Sequence, residues 1–388
     1  MKTYTLYTLT CLYILTATSL LAQTTESTVV EEVEDPPSTF VLSGYVDAYF
    51  QHVISDPSSD ATDTPLAFPT SFTPETRGFS VGNVNLMAEK SLGKVGFVGQ
   101  IGFGPRAIDA NQGGDLDNAG YYIPNLQQLF VTYSPSEAIT FTLGQFGTFV
   151  GYEVIDAPAN MNYSTSYLFS YGPFFHTGLK ADFAIAKGFG GMVGIFNNTD
   201  SRFNSAGYYY GAQLSAEVGG LAAYLNLLAG TDNKNVLNDE DETTLQIDLT
   251  ATYEVNDDLM FGINASRKQT RILDASDANT ELMIDGDGFT GIALYSTIGL
   301  AENFSLSLRG ESFNVADNPL ADQEGRSVLA LTATGNITIG DLIILPEVRF
   351  DSGGGFDTKY DGGIIDFGSD DTDDDSVASF ILAAVYAF

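Results

Sequence analysis

Apolar and polar residues alternate one by one along most of the chain beyond residue 39. In residues 40–51, Val46 and Phe50 fall on one side of an extended chain, and Asp47 and Gln51 fall on the other. Because successive side chains of a strand point to opposite faces, this period of two predicts strands with one apolar and one polar face. The same period recurs in residues 208–218, 244–253 and 304–311.

About sixteen such segments follow one another up to the end of the chain. An even number of two-faced strands is typical of a transmembrane barrel, in which apolar side chains meet lipid and polar ones face a wet lumen. A soluble β-sandwich is the alternative, but a sandwich would bury a shared apolar core between its sheets. The predicted strands start near Phe40, Gly78, Val95, Asn125, Ile139, Phe174, Gly190, Tyr208, Leu221, Thr243, Asp258, Gly288, Asn303, Arg326, Asp341 and Ser376.

The connections between the predicted strands are alternately short and long. This alternation is typical of an outer-membrane barrel, with short periplasmic turns and long external loops. The sequence therefore predicts an all-β fold, a transmembrane antiparallel up-and-down barrel of about sixteen strands with long acidic extracellular loops. The short connections are at 91–94, 134–138, 186–189, 219–220, 254–257 and 299–302. The long ones are at 52–77, 105–124, 148–173, 198–207, 230–242, 267–287, 314–325 and 352–375.

The first 22 residues have the pattern of an export signal. Lys2 precedes an apolar stretch that is too short to span a bilayer comfortably, and the Ala22–Gln23 bond fits a cleavage site. Residues 23–39 are acidic and contain prolines, which predicts a flexible periplasmic lead-in. We therefore divide the chain into a signal peptide (1–22), a lead-in (23–39) and an outer-membrane barrel (40–388).

Composition and charge narrow the classes of function. The chain has 50 acidic and 16 basic residues, and its net charge of −34 disfavours binding to nucleic-acid phosphates. The one cysteine, Cys11, lies in the predicted signal, and there are only two histidines, His52 and His176, which excludes a cysteine-based or histidine-rich metal site. Neither histidine stands in a lipase-like pattern, so we predict that the protein is not an enzyme.

The last predicted strand ends in aromatic residues. Tyr386 and Phe388 fall on the same face of this strand, and Phe388 is the final residue. A terminal strand that ends in an aromatic residue resembles the assembly signal read by the outer-membrane insertion machinery. We therefore predict that both residues contribute to barrel assembly.

Four segments of the chain resemble one known family. They are GYVDAYF (44–50), GQFGTFVGYEV (144–154), NYSTSYLFSYGPFFHTG (162–178) and GIFNN (194–198). These segments are similar to the putative beta-barrel porin family of OmpL-like outer-membrane proteins. The resemblance covers most of residues 40–388 and implies an outer-membrane barrel with a channel function, and it supplies no catalytic residues.

The long connection at 148–173 is the strongest candidate for a functional site. In general porins the third loop folds into the lumen and narrows it. Buried aromatics would fit such a constriction loop, and its carboxylates would tune ion passage. The alternative is an outward loop that packs on its neighbours. The candidate residues of this loop are Glu153, Asp156, Tyr163, Tyr167 and Phe169.

Charged side chains on the predicted inward face are mostly acidic. Fixed charges in a narrow wet channel raise the local concentration of counter-ions, so an acidic excess predicts a cation-preferring lumen. An alternative is that these charges pair with one another, because Arg309 and Glu311, like Arg349 and Glu347, lie two residues apart on one strand face. The inward charges are Asp47, Glu89, Lys180, Asp182, Glu217, Asp248, Arg309, Glu311, Glu347 and Arg349.

The external loops contain dense clusters of acidic residues. Asp371, Asp373 and Asp375 are weak candidates for a divalent-cation site, because hard cations prefer oxygen ligands. No cluster has the full EF-hand calcium-loop pattern. We therefore predict no cofactor and no specific metal site, and only loosely bound Ca²⁺ or Mg²⁺ at the acidic loops.

These features predict a porin in the outer membrane of a Gram-negative bacterium, through which small hydrophilic solutes or ions diffuse passively. The expected partners are outer-membrane lipids, lipopolysaccharide and the barrel-assembly machinery, with a homotrimer suggested by analogy with general porins and with no nucleic acid. Two other functions stay open. One is a closed accessory barrel of an outer-membrane complex, and the other is a lipase-like enzyme.

Overall fold

Sixteen antiparallel strands close into a single barrel. The computed structural model describes residues 40–53, 70–73, 77–111, 123–203, 207–232, 242–274, 282–316, 325–353, 360–361, 364–365 and 376–388. The barrel strands are β1 Phe40–Val53, β2 Arg77–Leu92, β3 Val95–Phe103, β4 Leu126–Ser136, β5 Ile139–Gly147, β6 Phe175–Ala186, β7 Phe189–Phe196, β8 Tyr209–Val218, β9 Leu221–Asp232, β10 Glu242–Asn256, β11 Leu259–Asp274, β12 Leu282–Ala301, β13 Phe304–Val315, β14 Arg326–Ile339, β15 Leu342–Gly353 and β16 Ser376–Ala387.

Each strand pairs with its neighbours in the chain, and the last strand closes the barrel on the first. At this seam Tyr45 lies opposite Ala387. The backbone N–H of Gly44 donates to the carbonyl of Phe388 at 3.0 Å, and the N–H of Phe388 donates to the carbonyl of Gly44 at 2.9 Å. Closure leaves no open sheet edge, which is the condition for a β-sheet to cross a bilayer.

The two faces of the strands differ as the alternation predicts. On β4 the outward residues Leu129, Val131 and Tyr133 are exposed, whereas on β1 the inward residues Asp47 and Gln51 are buried. Apolar side chains also cover the outside of the other strands, and Phe79 is 90% exposed. An apolar surface of this extent is stable against lipid and would aggregate in water.

Tight turns join the strands at the end of the barrel where Phe40 and Phe388 lie, which we call the short-turn end. Gly219 and Gly220 form the two-residue turn between β8 and β9 with φ values of +59° and +83°. Such primed turns need positive φ at both central residues, which glycine adopts without strain. The strand ends that the long connections join lie at the opposite end, which we call the long-loop end.

Fifteen of the sixteen predicted strand starts lie within one residue of the observed starts. The exception is β12, which begins at Leu282 rather than near Gly288. The predicted loop at 267–287 is therefore wrong, because β11 and β12 continue as a hairpin in which Arg271 lies opposite Asp285. Basic residues on β11 and a bulge after Gln269 interrupt the apolar alternation and hide this extension in the sequence.

The described residues contain three short helical segments. They are α1 Pro105–Asn111, a 3₁₀ turn at Ala157–Ala159 and α2 Tyr167–Ser170. The external loop predicted at 105–124 therefore begins with a helix, α1, that the alternation does not indicate. Among the residues that the structure describes, no helix is long and apolar enough to cross a membrane.

Candidate functional site: the lumen and its loop

The connection between β5 and β6, residues 148–174, lies inside the barrel, and we call it the lumen loop. Its two ends meet at the barrel wall, where the N–H of Thr148 donates to the carbonyl of Phe174 at 3.1 Å. Between these ends the loop contacts inward-facing residues on strands around the barrel. Four of the five predicted constriction residues are buried there, namely Glu153, Tyr163, Tyr167 and Phe169.

Carboxylates of the wall accept hydrogen bonds from the backbone of the lumen loop. Glu311 on β13 accepts the N–H groups of Tyr167 at 2.9 Å and Leu168 at 2.8 Å. These N–H groups belong to the first turn of α2 and have no partner within the helix. Glu347 on β15 accepts the N–H groups of Tyr163 at 2.8 Å and Ser164 at 3.2 Å.

Two buried arginines on the same two strands also hold this stretch of the loop. Arg309 donates to Glu153 at 2.6 Å and to the carbonyl of Ser164 at 2.7 Å. Arg349 donates to the carbonyl of Thr165 at 2.7 Å, and its Nε donates to Asp351 at 2.8 Å. Charge-assisted bonds of this kind are about twice as strong as neutral ones.

These contacts define the anchoring wall, which is the inward face of β13, β14 and β15. The sequence analysis placed Arg309, Glu311, Glu347 and Arg349 on this face, and all four are buried. Arg309 pairs with Glu153 of the loop, and Arg349 pairs with Asp351, which lies two residues further along its own strand. The four side chains nevertheless form one network, because both arginines bind the carbonyl of Thr165.

Other side chains of the lumen loop pack into gaps left by inward-facing glycines. A Cβ atom on Gly211 of β8 would lie 2.6 Å from the ring of Phe149, and one on Gly291 of β12 would lie 2.8 Å from Leu168. A Cβ atom on Gly262 of β11 would overlap Tyr152. Only glycine leaves room for these loop side chains, so we call the three positions the glycine notches.

Asp156 is held by neutral donors on the first strands of the barrel. Gln127 and Gln100 each donate to its carboxylate at 2.9 Å, and Asn85 donates at 3.4 Å. Tyr45 donates to the same group at 3.3 Å. Burial raises the pKa of Asp156 above its usual value, and the hydrogen bonds from Gln127 and Gln100 oppose that shift.

A second inward segment, α1, packs on the lumen loop. Its Arg106 is fully buried, with its guanidinium carbon 4.9 Å from the ring centre of Phe72 and 5.1 Å from that of Tyr163. Arg106 donates to the carbonyl of Ile155 at 3.2 Å and lies 3.8 Å from the carboxylate of Asp47. Tyr163 donates its hydroxyl to the same carboxylate at 2.7 Å. Asp47 therefore joins α1 and the lumen loop to β1.

An apolar cluster covers part of the inward face of the strands from β5 to β9. Phe149 and Val150 of the lumen loop pack on it. His176 lies beside the cluster, between the rings of Phe149 and Phe196, and its Nε2 contacts the Thr148 hydroxyl at 3.0 Å. The Nδ1 of His176 has no hydrogen-bond partner in the structure. The cluster residues on the strands are Phe146, Met192, Phe196, Tyr209 and Leu228, with Phe130 beside them.

Other predicted inward charges reach water near the short-turn end. Lys180 pairs with Asp182 at 3.0 Å, and the two side chains are 23% and 35% exposed. Glu217 is exposed and accepts the hydroxyl of Tyr224 at 2.7 Å, and Glu89 is half-buried. Asp248, in contrast, is buried and accepts the N–H of Gly151 at 3.0 Å.

Several predicted sites lie outside the described residues. They are the signal peptide and lead-in at 1–39 and the candidate metal ligands Asp371, Asp373 and Asp375. Among the residues that are described, no group of three or more His, Cys, Asp or Glu side chains is arranged to hold a metal ion. Tyr386 and Phe388 are described and exposed on the outer face next to the seam.

Sequence reasoning missed Arg106, Asp351 and the amides that bind Asp156. Asp351 continues the inward series of Glu347 and Arg349 by one further step of two residues, so the alternation could have identified it. Arg106 gave a weaker signal, because its helix lies in a connection that was treated as external. The amides gave no signal, since uncharged polar residues are ordinary on the wall of a wet lumen.

A family model described as "putative beta-barrel porin-2, OmpL-like" matches residues 39–388. A search of curated protein sequences found no match.

Solved structures with the same fold include outer-membrane proteins of low sequence identity. The trimer form of in-vitro folded OmpT from Vibrio cholerae has a TM-score of 0.57 at 12% identity, covering 90% of this chain and 99% of that one. The outer membrane channel DcaP of Acinetobacter baumannii has a TM-score of 0.58 at 16% identity, covering 90% and 97%. OmpF of Salmonella typhi, in complex with daunomycin, has a TM-score of 0.56 at 11% identity, covering 90% and 97%. At these identities the likeness establishes the fold.

Proposed function

Because the chain belongs to the putative beta-barrel porin-2, OmpL-like family, we propose that small hydrophilic solutes or ions diffuse passively through its lumen. The protein is a barrel of the porin type that belongs in an outer membrane. The observation that carries the proposal is the closed sixteen-strand barrel, whose outer face is apolar and whose inner face is polar. The lumen loop limits passage to small solutes, because it packs against the wall at the middle of the lumen.

The proposal includes a preference for cations. Of the inward charges in the described residues, those that reach water near the short-turn end are Glu89, Asp182 and Glu217 against Lys180. An acidic mouth concentrates cations. Glu153 is bonded to Arg309, and Asp156 is bonded to amide side chains of the wall. The effect of these two carboxylates on ion passage therefore stays a prediction.

Conductance across a planar bilayer tests this function. Purified barrel should form open channels, and the reversal potential in a KCl gradient should favour potassium at low salt. Wall charge is screened over about 10 Å at 0.1 M and about 3 Å at 1 M, so the preference should shrink as salt rises. Neutralising Asp182 and Glu217 together should weaken it, whereas a pore that prefers chloride would contradict the sign of the mouth charge.

A closed accessory barrel is the second candidate function. The observation that favours it is the packed middle of the lumen, where wall residues such as Gln51, Thr334 and Arg309 are almost fully buried. Well-folded protein that conducts no ions would support this candidate over the porin.

We further propose that the protein is not an enzyme. His176→Ala should leave lipid hydrolysis by intact envelopes unchanged, and a loss of such hydrolysis would contradict the proposal.

We also propose that Tyr386 and Phe388 act in assembly by the insertion machinery. Deleting Phe388 removes the aromatic ring and both of its backbone hydrogen bonds to Gly44. The folded, heat-modifiable band in outer membranes should decrease. Phe388→Leu is the matched control, because it keeps the backbone pair and removes only the ring. If the deletion and the control both leave the band unchanged, the residue carries no assembly signal.

The membrane arrangement is part of the same proposal. A signal peptide directs export, both chain ends lie in the periplasm, and the long loops face outward toward lipopolysaccharide. A tag at Asp373 should be labelled on intact cells of a Gram-negative host, and a tag at Thr28 should not.

A homotrimer and loosely bound Ca²⁺ or Mg²⁺ at the acidic loops complete the proposal. The trimer is supported by the trimeric form of the similar Vibrio cholerae protein. Native gels with and without a chelator test both features.

A further inference from the structure

The lumen loop contacts inward-facing side chains on all sides of the barrel. It reaches β1 through the hydroxyl of Tyr163, β10 through the N–H of Gly151 and β14 through the side chain of Asn162. Asp156 binds side chains of β2, β3 and β4, and the ring of Phe149 packs on β7. A wider passage through the middle of the lumen therefore requires that the loop leave part of this packing.

A third inward segment, residues 70–73, lies against the lumen loop, and we call it the strap. It belongs to the connection between β1 and β2, whose facing ends lie at the long-loop end. The N–H of Ser71 donates to the Ser170 hydroxyl at 3.0 Å, and the Thr165 hydroxyl donates to the carbonyl of Ser71 at 2.9 Å. The strap therefore holds the loop just before α2 and at the last residue of that helix.

The strap also binds the anchoring wall and α1. The Nη1 of Arg349 donates to the Thr70 hydroxyl at 3.1 Å and to the carbonyl of Thr165 at 2.7 Å. The N–H of Phe72 donates to the carboxylate of Asp109 on α1 at 3.1 Å. The strap is thus bonded to the wall, to α1 and to the lumen loop, yet it lies outside the strands of the barrel. Its release breaks no strand pairing.

Phe72 occupies a pocket among these contacts. Its ring centre lies 5.6 Å from those of Phe169 and Phe174 in the lumen loop, and the guanidinium carbon of Arg106 lies 4.9 Å from it. The side chain is 1% exposed, but its backbone has a φ of +77°. A bulky residue at positive φ is strained and persists only where the surrounding structure holds it. The packing of the ring therefore keeps the strap in a conformation that relaxes when the ring leaves.

We propose that the strap is a latch on the lumen loop. While Phe72 occupies its pocket, the loop keeps the passage narrow. When Phe72 withdraws, the stretch from Thr165 to Ser170 loses its bonds to the strap, and the loop shifts so that the passage widens. This inference rests on the porin function proposed above. Strained residues are typical of switch regions, and the strap belongs to a connection at the long-loop end, so the latch is operated from that end.

Removing the ring of Phe72 tests the latch. Phe72→Gly keeps the path of the backbone, because glycine adopts this φ without strain. The open probability of the channel in a planar bilayer should rise at least threefold over the wild type, and amide hydrogen exchange in residues 165–170 should become at least tenfold faster. Phe130→Ala is the matched control, because it removes a ring that packs on Phe146 in the apolar cluster. It should change neither quantity.

A disulfide tests the same contact in the opposite direction. The only cysteine of the chain, Cys11, lies in the predicted signal peptide, so Ser71→Cys combined with Ser170→Cys supplies the only two thiols of the processed barrel. Oxidation ties the strap to the loop and should lower the open probability at least threefold. Dithiothreitol should restore it, so the reduced protein serves as its own control. The folded, heat-modifiable band of each variant shows that the barrel is intact.

The outcomes separate the latch from the function. A wild type that conducts, with Phe72→Gly and the oxidised double-cysteine protein behaving like it, overturns the latch and leaves the porin intact. An equal response of Phe72→Gly and Phe130→Ala also overturns the latch, because the effect is then not specific to the strap. Folded protein without conductance, in the wild type and in Phe72→Gly, overturns the porin function and the latch together.

Discussion

The anchoring wall and the glycine-notched wall hold the same loop in opposite ways. On β13 and β15, buried charges bind the loop backbone, as Arg309 and Glu347 do. At Gly211 on β8 and Gly262 on β11 there is no side chain, and the rings of Phe149 and Tyr152 of the loop fill the gaps. The first wall fixes position through directional bonds, and the second accepts the loop through shape. Disturbing one wall at a time therefore separates polar anchoring from packing.

The largest expected effect is the loss of Arg309. Arg309→Met removes the partner of Glu153 and leaves its carboxylate buried without a counter-charge. Breaking a buried pair in this way costs about 3–5 kcal/mol. Backbone amides of Tyr167 and Leu168 should exchange hydrogen at least about a hundredfold faster in the intact barrel, since 1.4 kcal/mol corresponds to about tenfold.

A double-mutant cycle checks that effect. Glu153→Gln in the Arg309→Met background should recover part of the loss, because no unpaired carboxylate remains. Unchanged exchange in the single variant would mean that the anchoring wall does not hold the loop.

The next effect concerns Glu347. Glu347→Gln weakens the bonds from the N–H groups of Tyr163 and Ser164, because an amide has one acceptor oxygen and no charge. Hydrogen bonds to charged groups contribute about 1.5–3 kcal/mol each, so we expect a loss of about 2 kcal/mol in local stability. Hydrogen exchange of a peptide covering residues 161–166 measures it. Glu89→Gln, at a half-buried position near the short-turn end, serves as control. An equal response in both variants would refute the anchoring role.

Filling a glycine notch should have a comparable or smaller effect through packing alone. Gly262→Ala forces Tyr152 away from its stacked partner Tyr295, whose ring centre lies 4.4 Å away. Overpacking costs about 1–3 kcal/mol. The exchange rate of residues 150–154 should rise, while that of Tyr167 should change little.

Gly99→Ala on β3 is the control for the notch, because a Cβ atom there meets nothing within 4 Å. If both alanine variants behave alike, the notch does not constrain the loop.

The smallest expected effect lies outside both walls, at Asp200 beyond β7. Burial raises the pKa of Asp200 to about 6, although its carboxylate accepts the N–H groups of Phe174 and Phe175. Because the folded state binds this proton more tightly than the unfolded chain, its stabilising contribution is lost as pH rises through about 6. The heat-unfolding midpoint should fall between pH 5 and 7.5, by an amount that corresponds to about 1 kcal/mol.

Asp200→Asn separates this effect from other titrations. Asn keeps the acceptor oxygen and tolerates the positive φ of 57° at this position. The variant should gain stability relative to the wild type as pH rises. A difference between the two proteins that does not depend on pH would exclude Asp200 as the titrating group.

The strands, their number and their faces could be predicted from the sequence because each depends on neighbouring residues. The alternation of apolar and polar residues around Asp47 or Asp248 predicts which face of the strand meets lipid, and this prediction needs only the neighbouring residues. The same rule identified the inward charges on β13 and β15. It failed at β11 and β12, where basic residues on an extended hairpin resemble a solvated loop.

Which groups these inward charges bind was decided only by the tertiary structure. The sequence shows that Arg309 and Glu347 face inward, but water or another part of the chain could satisfy them equally well. Their partners, Glu153 and the backbone at 163–168, lie more than a hundred residues away, and the loop that carries them is positioned by glycine notches on other strands. Local patterns thus determined the barrel and which of its charged residues face inward. Long-range packing determined which of those charges hold the loop and which stay partly exposed near the short-turn end.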